Sequence, residues 1–340
     1  MQTVLANNRQ TRRRIHIRPN LTIMKGTIAD LKFVRYGDMV VPIIMGKERR
    51  RVINSIVPQG LNDYVNDLLA VNNLAYETYK TSGSSSISIS GWGSSPGNAI
   101  QLLNNGSAVQ TLTATVIPVL NGSTVIWVFI ASDLSSASYT ANQVNLFASV
   151  NQVNTLAGSG VVQYSPAFNL ATATTSIVKQ SGETISFVWE IQLNLGSYAL
   201  TDFIIGILYS IPTVQTTCAG SNVIQGTFGG VYKLGLDAPY FFSSITLQYV
   251  GGSSSANISS ITATYDGTNT YLVISTSISI SSQVTATSII VNVSYEGGSA
   301  YFCINGQQLT SGSAIQIPYN ATLSPGTINV TVTIEFSPAT

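Results

Sequence analysis

The 340-residue chain is long enough for two compact domains, because single hydrophobic cores rarely grow past about 250–300 residues. Charged residues make up only 9% of the chain, against about 25% in an average globular protein. Mean hydropathy is positive, but no run of about 20 apolar residues occurs, so no transmembrane helix is predicted. Met1–Asn20 lacks the apolar stretch and small-residue cleavage site of a secretion signal, and no export signal is expected.

The charge is strongly segregated along the chain. Residues 1–51 hold twelve basic and three acidic residues, a net charge of +9, and residues 52–340 hold three basic and eleven acidic residues, a net charge of −8. We therefore predict a basic anchoring arm over residues 1–51, which contacts an anionic or closely packed partner. The predicted anchoring or anion-contacting residues are Arg9, Arg12, Arg13, Arg14, Arg18, Lys47, Arg49, Arg50 and Arg51. Leu31–Val34 and Met39–Met45, between the two basic clusters, are predicted to be short strands.

One helix is predicted near residues 59–72. Pro58 suits the first helical turn, and Leu61, Tyr64, Val65, Leu68 and Leu69 recur at helical spacing. From about Ala75 the period changes to two, with strands at Thr111–Val119, Thr124–Ile130, Val161–Phe168 and Thr184–Leu193. This pattern predicts a β-sandwich or jelly-roll domain over residues 52–211, with Trp92, Trp127 and Trp189 in its core.

Residues 212–232 are rich in Thr and Gly and are predicted to be a linker. About seven short strands follow in residues 233–340, a number typical of an immunoglobulin-like β-sandwich. Asp266-Gly267 predicts a hairpin turn between two of them. The predicted fold class is thus mainly β, with two β-sandwich domains, one short N-terminal helix and the basic arm.

The sequence offers little for catalysis. The only histidine, His16, lies among arginines, and no histidine follows Gly93-Ser94-Ser95-Pro96-Gly97, which formally matches a nucleophile elbow. One His and two distant Cys cannot form a zinc site. We therefore predict no catalytic residue, no metal and no cofactor. Cys218 and Cys303 either form one disulfide or are two buried thiols.

Two stretches carry a resemblance to known proteins. The first is Val52–Asn66 followed by Tyr79-Lys80-Thr81-Ser82-Gly83, and the second is Ala141–Phe147 followed by Phe168, Ile177-Val178-Lys179 and Gly182–Ile191. Residues 52–195 are similar to a small β domain of phage tail and baseplate proteins, although Glu183 and Asn145 replace an Asp and a Gly usual in that family. The Ser-, Thr- and Asn-rich C-terminal region resembles turret, spike and tail proteins of archaeal viruses. The resemblance implies a virion structural protein.

The predicted function is an oligomeric turret, spike or tail element, anchored by the arm and exposing a distal β domain to a host receptor. Its partners would be copies of itself, other capsid or tail proteins, and genome nucleic acid at the arm. It would be assembled in the host cytoplasm and located in the virion, without a membrane span. A double jelly-roll major capsid protein with a genome-binding arm, and a cell-surface adhesin or pilus subunit, are the alternatives. The few carboxylates favour a particle that survives hot acid, because acid unfolds proteins largely by protonating carboxylates.

Overall fold

The computed structural model describes residues 2–3, 12–36, 39–80, 90–95, 97–121, 124–154, 161–194, 227–228, 231–232, 240–295, 302–304, 307–309 and 312–338. The first fifteen strands are β1 (Gln2–Thr3), β2 (Arg12–Gly26), β3 (Leu31–Tyr36), β4 (Met39–Ile44), β5 (Glu48–Val52), β6 (Asn54–Ile56), β7 (Ala99–Asn104), β8 (Ser107–Thr113), β9 (Thr115–Asn121), β10 (Thr124–Asp133), β11 (Tyr139–Ala148), β12 (Asn151–Asn154), β13 (Val161–Tyr164), β14 (Phe168–Lys179) and β15 (Thr184–Asn194).

Eleven strands follow in the C-terminal part of the chain. They are β16 (Thr227–Phe228), β17 (Val231–Tyr232), β18 (Tyr240–Tyr249), β19 (Gly252–Asn257), β20 (Ser260–Tyr265), β21 (Thr270–Ile280), β22 (Val284–Tyr295), β23 (Phe302–Ile304), β24 (Gln307–Leu309), β25 (Gly312–Leu323) and β26 (Gly326–Pro338). The helices are a 3-10 turn at Ile28–Asp30 and helix α1 at Pro58–Lys80. The prediction of a mainly β fold is confirmed.

The largest sheet combines strands from both ends of the chain. Its order is β20-β21-β26-β2-β15-β10-β9, with β1 beside β26 and β5 beside β2. The pairing of β2 with β26 is parallel and aligns Arg12–Ile17 with Thr333–Pro338. We call this nine-stranded sheet the large sheet.

Two smaller sheets share one hydrophobic core with the large sheet. The five-stranded sheet has the order β6-β14-β11-β7-β8, and the four-stranded sheet has the order β19-β18-β22-β25. A single cluster of buried residues includes Trp189 of the large sheet, Val144 of the five-stranded sheet, Leu247 of the four-stranded sheet and Leu61 of α1. The two smaller sheets thus lie against one side of the large sheet.

Helix α1 begins at Pro58, as the sequence predicts, and ends at Lys80, eight residues beyond the predicted end at residue 72. No glycine or proline occurs between Gly60 and Gly83 to stop it. The helix contacts β14 of the five-stranded sheet, β18 of the four-stranded sheet and β20 and β21 of the large sheet. The Tyr64 ring lies 4.8 Å from that of the fully buried Trp127. The helix therefore fills the space where the three sheets meet.

The predicted division into an arm and two separate sandwiches is not confirmed. Strand β2 of the predicted arm lies inside the large sheet, and strands from both sides of the predicted linker belong to that sheet. Ile15, Ile17, Leu21 and Ile23 alternate along β2 and are buried in the main core. Burial of these apolar side chains stabilises the pairing of β2 within the large sheet, so residues 12–26 belong to the folded core region in spite of their charge.

The predicted Asp266-Gly267 turn joins β20 and β21, with a different conformation from the expected one. Gly267 has φ 95°, but Asp266 does not share the positive φ. The Asp266 carboxylate accepts hydrogen bonds from the backbone N–H groups of Thr268 (2.9 Å) and Asn269 (2.7 Å). The side chain, together with the glycine, shapes the turn.

Candidate interaction surface

Basic side chains occupy the outward positions of strand β2. Ile15 and Ile17 are buried, whereas Arg14, His16 and Arg18 are exposed. Because side chains alternate across a strand, these three lie on the face of the large sheet opposite the main core. We call that side the outer face.

Strand β5 adds two arginines to the same face. It pairs antiparallel with the second half of β2, with Arg51 opposite Thr22 and Arg49 opposite Met24. Opposite residues of an antiparallel pair point to the same side of the sheet, and both arginines are exposed. The two basic clusters, separate in sequence, therefore form one row along β2 and β5. The basic stripe is defined as Arg14, His16, Arg18, Arg49 and Arg51.

One member of the basic stripe joins the two ends of the chain. Arg14 Nε lies 3.0 Å from Glu335 Oε1 on β26, and the Ser337 hydroxyl donates to the same oxygen at 2.6 Å. The Glu335 side chain is 2% exposed and that of Arg14 is 54% exposed. Glu335 thus neutralises Arg14, the first residue of the basic stripe, while the Arg14 side chain keeps contact with solvent.

Two further cations point to the inner side and stabilise the rim of the large sheet. Arg50 donates a hydrogen bond to the carbonyl oxygen of Ser176 on β14. Lys25 Nζ lies 2.8 Å from Glu183 Oε2, and this hydrogen bond lowers the pKa of the Glu183 carboxyl. These two cations connect the large sheet to the five-stranded sheet or its adjoining turn, and they are not part of the basic stripe.

The β3–β4 hairpin covers part of the outer face. Val41 and Ile43 of β4 pack on Met24, Val128 and Val188 of the large sheet in a second, smaller core. The Ser132 hydroxyl donates to the Pro42 carbonyl at 3.0 Å, and the Ile44 N–H donates to the Ser186 hydroxyl at 2.8 Å. The hairpin is therefore attached both by apolar contacts and by hydrogen bonds.

The other side of this hairpin is apolar and faces solvent. Phe33 pairs with Pro42 and Arg35 pairs with Val40, and these four alternate with the inward Val34 and Val41. Phe33 is 71% exposed and Val40 is 59% exposed. Solvent-facing sides of antiparallel strands are usually polar, so this side departs from the norm. The hairpin face is defined as Phe33, Arg35, Val40 and Pro42.

Exposed apolar side chains are concentrated in the same part of the chain as the arginines. Of the nine large hydrophobic residues that are exposed among the described residues, five lie between residues 28 and 53: Ile28, Phe33, Val40, Met45 and Ile53. All nine arginines of the sequence lie in residues 1–51. Arg49 lies opposite Met24, which the inner side of the hairpin covers, so the basic stripe is next to the β3–β4 hairpin. Exposed arginines and exposed apolar side chains therefore lie in neighbouring parts of this region.

A different set of charges lies inside the body. Lys179 is 1% exposed, and its Nζ donates to the carbonyl oxygens of Ser135 (2.6 Å) and Ala137 (2.8 Å) and lies 3.9 Å from Asp133 Oδ2. The Tyr139 hydroxyl donates to Asp133 at 2.9 Å. Burial opposes ionisation of Asp133, but hydrogen bonds from Ser135, Tyr139 and Gln110 outweigh it and lower the pKa. This network fixes the connection between β10 and β11, and sequence reasoning did not find it.

The other predicted site residues fall in several places. Lys47 is exposed in the turn before β5. Arg12 and Arg13 belong to β2, but their side chains lie outside the described part, as does all of Arg9. Cys218 also lies outside the described residues and Cys303 belongs to β23, so the disulfide stays a prediction. Gly93, the first residue of the formal nucleophile-elbow match, forms an isolated bridge with Tyr164. The next element described after it is strand β7.

Within the described ranges, no helix has the length and apolarity needed to cross a bilayer, and no group of three or more His, Cys, Asp or Glu could hold a metal ion. Comparisons with known proteins found no matching family model, no matching curated protein and no matching solved structure.

Proposed function

We propose that this chain is a structural subunit of a virus particle, a homo-oligomeric element of the turret, spike or tail class. The basic stripe and the hairpin face attach it to the particle, and its uncharged β surface faces the medium and contacts the host. The proposed function is structural and requires no catalytic residue or cofactor.

One observation carries the proposal: the exposed basic stripe lies next to a hairpin whose solvent side carries exposed apolar side chains. Arginine, methionine and aromatic residues are enriched at protein–protein interfaces, whereas lysine is depleted. Here Arg49 lies opposite Met24, which the β3–β4 hairpin covers, and Phe33 and Val40 are exposed on the solvent side of that hairpin. Arginine also forms planar, bidentate hydrogen bonds with carboxylates, a geometry that suits an interface.

The composition of this surface favours an acidic protein as the anchoring partner over genome nucleic acid. Phosphate groups would satisfy the arginines but would leave the hairpin face exposed. An acidic protein with an apolar patch would cover both sets. The alternative role, a major capsid protein with a genome-binding arm, requires instead that nucleic acid contacts dominate.

The remainder of the outer face fits contact with the medium. Strands β21 and β26 present mainly Ser, Thr and Asn there, including Ser275, Ser277, Asn329 and Thr331. Such a surface has little charge to titrate, which agrees with the expectation of a particle that withstands acid.

The experiment is incorporation of variants into purified particles, measured by quantitative mass spectrometry. Arg49→Ser/Arg51→Ser and Phe33→Ser are each expected to lower the copy number of the chain per particle at least about tenfold, because each removes part of the anchoring surface. Val250→Ser is the matched control, since Val250 is 73% exposed and lies in the turn between β18 and β19 of the four-stranded sheet, away from β2 and β5 of the large sheet. The control should be incorporated normally.

Two results would overturn the proposal. The chain could be missing from purified particles, which would exclude the structural role itself. Alternatively, both surface variants could be incorporated as well as Val250→Ser, which would exclude anchoring through this surface. Loss with the arginine variant alone, together with retention of nucleic-acid binding by Phe33→Ser, would favour the capsid alternative.

A further inference from the structure

Within the described part of the chain, the outermost strands of the three main sheets differ in how they are protected against pairing. An edge strand carries backbone N–H and C=O groups ready to pair with another strand, and soluble proteins guard edges with charge, proline, bulges or short length. Guarded and unguarded edges can therefore be distinguished from sequence and register.

Most edges of these sheets carry such a guard. Strand β9 contains Pro118 and strand β25 contains Pro318, and proline cannot donate a backbone hydrogen bond. Strand β6 has only three residues, and β8 pairs with β7 through a register shift at Leu102/Leu103. Strand β5, beside β2, carries a run of charged residues, Glu48–Arg51.

Strands β19 and β20 carry none of these guards. Their sequences, GSSSAN and SITATY, contain no charge and no proline. Strand β19 pairs with β18 and β20 pairs with β21, each in continuous register. Only Ile258 and Ser259 separate the two strands, so the unguarded edges of the four-stranded sheet and the large sheet are consecutive in the chain.

Apolar side chains along this edge are incompletely covered. Ala256, Ile258, Ile261 and Ala263 all contact the main core, yet all are only partly buried. The exposed parts of these side chains would be removed from water by a strand added at the edge. The edge thus offers both a backbone template and an apolar border.

We infer that a second copy of this chain pairs antiparallel with β20, so that the large sheets of two protomers become one continuous sheet. A two-fold axis through Thr262 places Ile261 of one copy opposite Ala263 of the other, and both belong to the core side of the sheet. Ser260 then lies opposite Thr264 of the second copy on the outer face. The pairing satisfies the same backbone groups in both copies.

The chemistry of the edge favours a second copy as the occupant. Antiparallel pairing of a strand with itself is symmetric, and the absence of charge in β20 removes repulsion between identical strands. The basic stripe on β2 and β5 is separated from β20 by β21 and β26, so dimerisation leaves it accessible. The inference gives the homo-oligomer of the proposed function a specific surface, but it depends only on the fold.

The test is the self-association of the purified full-length chain by sedimentation velocity. The native chain is expected to dimerise. Thr262→Lys/Thr264→Lys brings four like charges together at the two-fold axis and is expected to raise the dissociation constant at least about tenfold. Both threonines are exposed, so the substitution is compatible with folding. Thr111→Lys/Thr113→Lys on the bulged edge strand β8, also exposed, is the matched control and should dimerise like the native chain.

Hydrogen exchange locates the contact independently of any substitution. Amides of β20 should exchange more slowly as the protein concentration passes through the dimerisation range, and those of β8 should not change. A native chain that stays monomeric, or a dimer unaffected by the β20 lysines and without added protection in β20, would overturn the inference. A monomeric native chain would also remove the homo-oligomer from the proposed function, whereas attachment through the basic stripe and the hairpin face is tested separately by incorporation into particles.

Discussion

The charges of the first 51 residues and those of the body are used in different ways. In the first region Arg18, Arg49 and Arg51 lie on the outer face and are exposed. In the body, Lys179 and Asp133 lie in the interior and are held by hydrogen bonds. The exposed arginines are accessible to a partner. The buried Lys179 and Asp133 form their hydrogen bonds within the fold.

This contrast separates positions that determine folding from positions that determine contacts. Along the large sheet the inward residues are similar throughout, with Ile, Leu, Val, Phe or Trp on nearly every strand. The outward residues change from Arg beside Phe and Val near β2, β5 and the hairpin to Ser, Thr and Asn on β21 and β26. Since both outer compositions are compatible with the same sheet, folding alone does not account for their difference.

The largest expected effect concerns the buried lysine. Lys179→Met should lower the free energy of unfolding by about 3–5 kcal/mol, because it leaves the Asp133 carboxylate and two carbonyl oxygens buried without their cation. Arg49→Met on the exposed stripe should change it by less than about 0.5 kcal/mol. Chemical denaturation of both variants provides the measurement. Equal losses for the two would remove the distinction between folding and contact charges.

The two sides of the β3–β4 hairpin should respond differently to truncation. Ile43→Ala should cost about 2–4 kcal/mol, since Ile43 is 2% exposed in the second core. Phe33→Ala should be close to neutral for stability, because most of its side chain already lies in water. Thermal unfolding monitored by circular dichroism compares them. A large loss for Phe33→Ala would mean that the hairpin face serves folding and not contact.

A smaller effect concerns one carboxyl of helix α1. Burial, followed by the nearby charge of Asp63, raises the pKa of Asp67 to about 6, although a hydrogen bond from Ser165 opposes the shift. The folded state therefore binds this proton more tightly than the unfolded chain, and the Asp67 contribution to stability increases as pH falls from about 7 to about 4.

Asp67→Asn should remove this pH dependence. It should stabilise the protein at pH 7 by about 1 kcal/mol, after allowance for partial exposure, and should have little effect near pH 4. Denaturation midpoints of the native chain and the variant at the two pH values check the sign. A variant that is less stable than the native chain at pH 7 would show that the Asp67 carboxylate is favourably held.

Local patterns in the sequence were sufficient for many of the elements. Pro58 and the apolar spacing from Leu61 to Val65 gave the start and buried face of α1, and alternation gave Thr124–Ile130 and Thr184–Leu193 as strands. Trp127 and Trp189 are fully buried, as predicted, whereas Trp92 is only partly buried. These signals are local because side-chain burial follows the period of each element.

The long-range pairings had no such signal. Strand β2 pairs with β26 from the opposite end of the chain, and the charge of Arg12–Arg14 suggested an arm although Ile15 and Ile17 alternate beside it. The basic stripe depends on the β2–β5 register, which sequence spacing does not reveal. The alternation along the strand of Lys179 does not show that a carboxylate lies beside its ammonium group. The carboxylate belongs to Asp133, which is far from Lys179 in sequence.

The most direct test of the central claim is hydroxyl-radical footprinting of the chain alone and within purified particles. Phe33 and Val40 of the hairpin face are 71% and 59% exposed in the isolated chain and should react with the radical. In the particle both should lose most of their reactivity because the anchoring surface is covered, while the exposed Val250 should keep its reactivity. Undiminished oxidation of Phe33 and Val40 in the particle would contradict the proposed attachment.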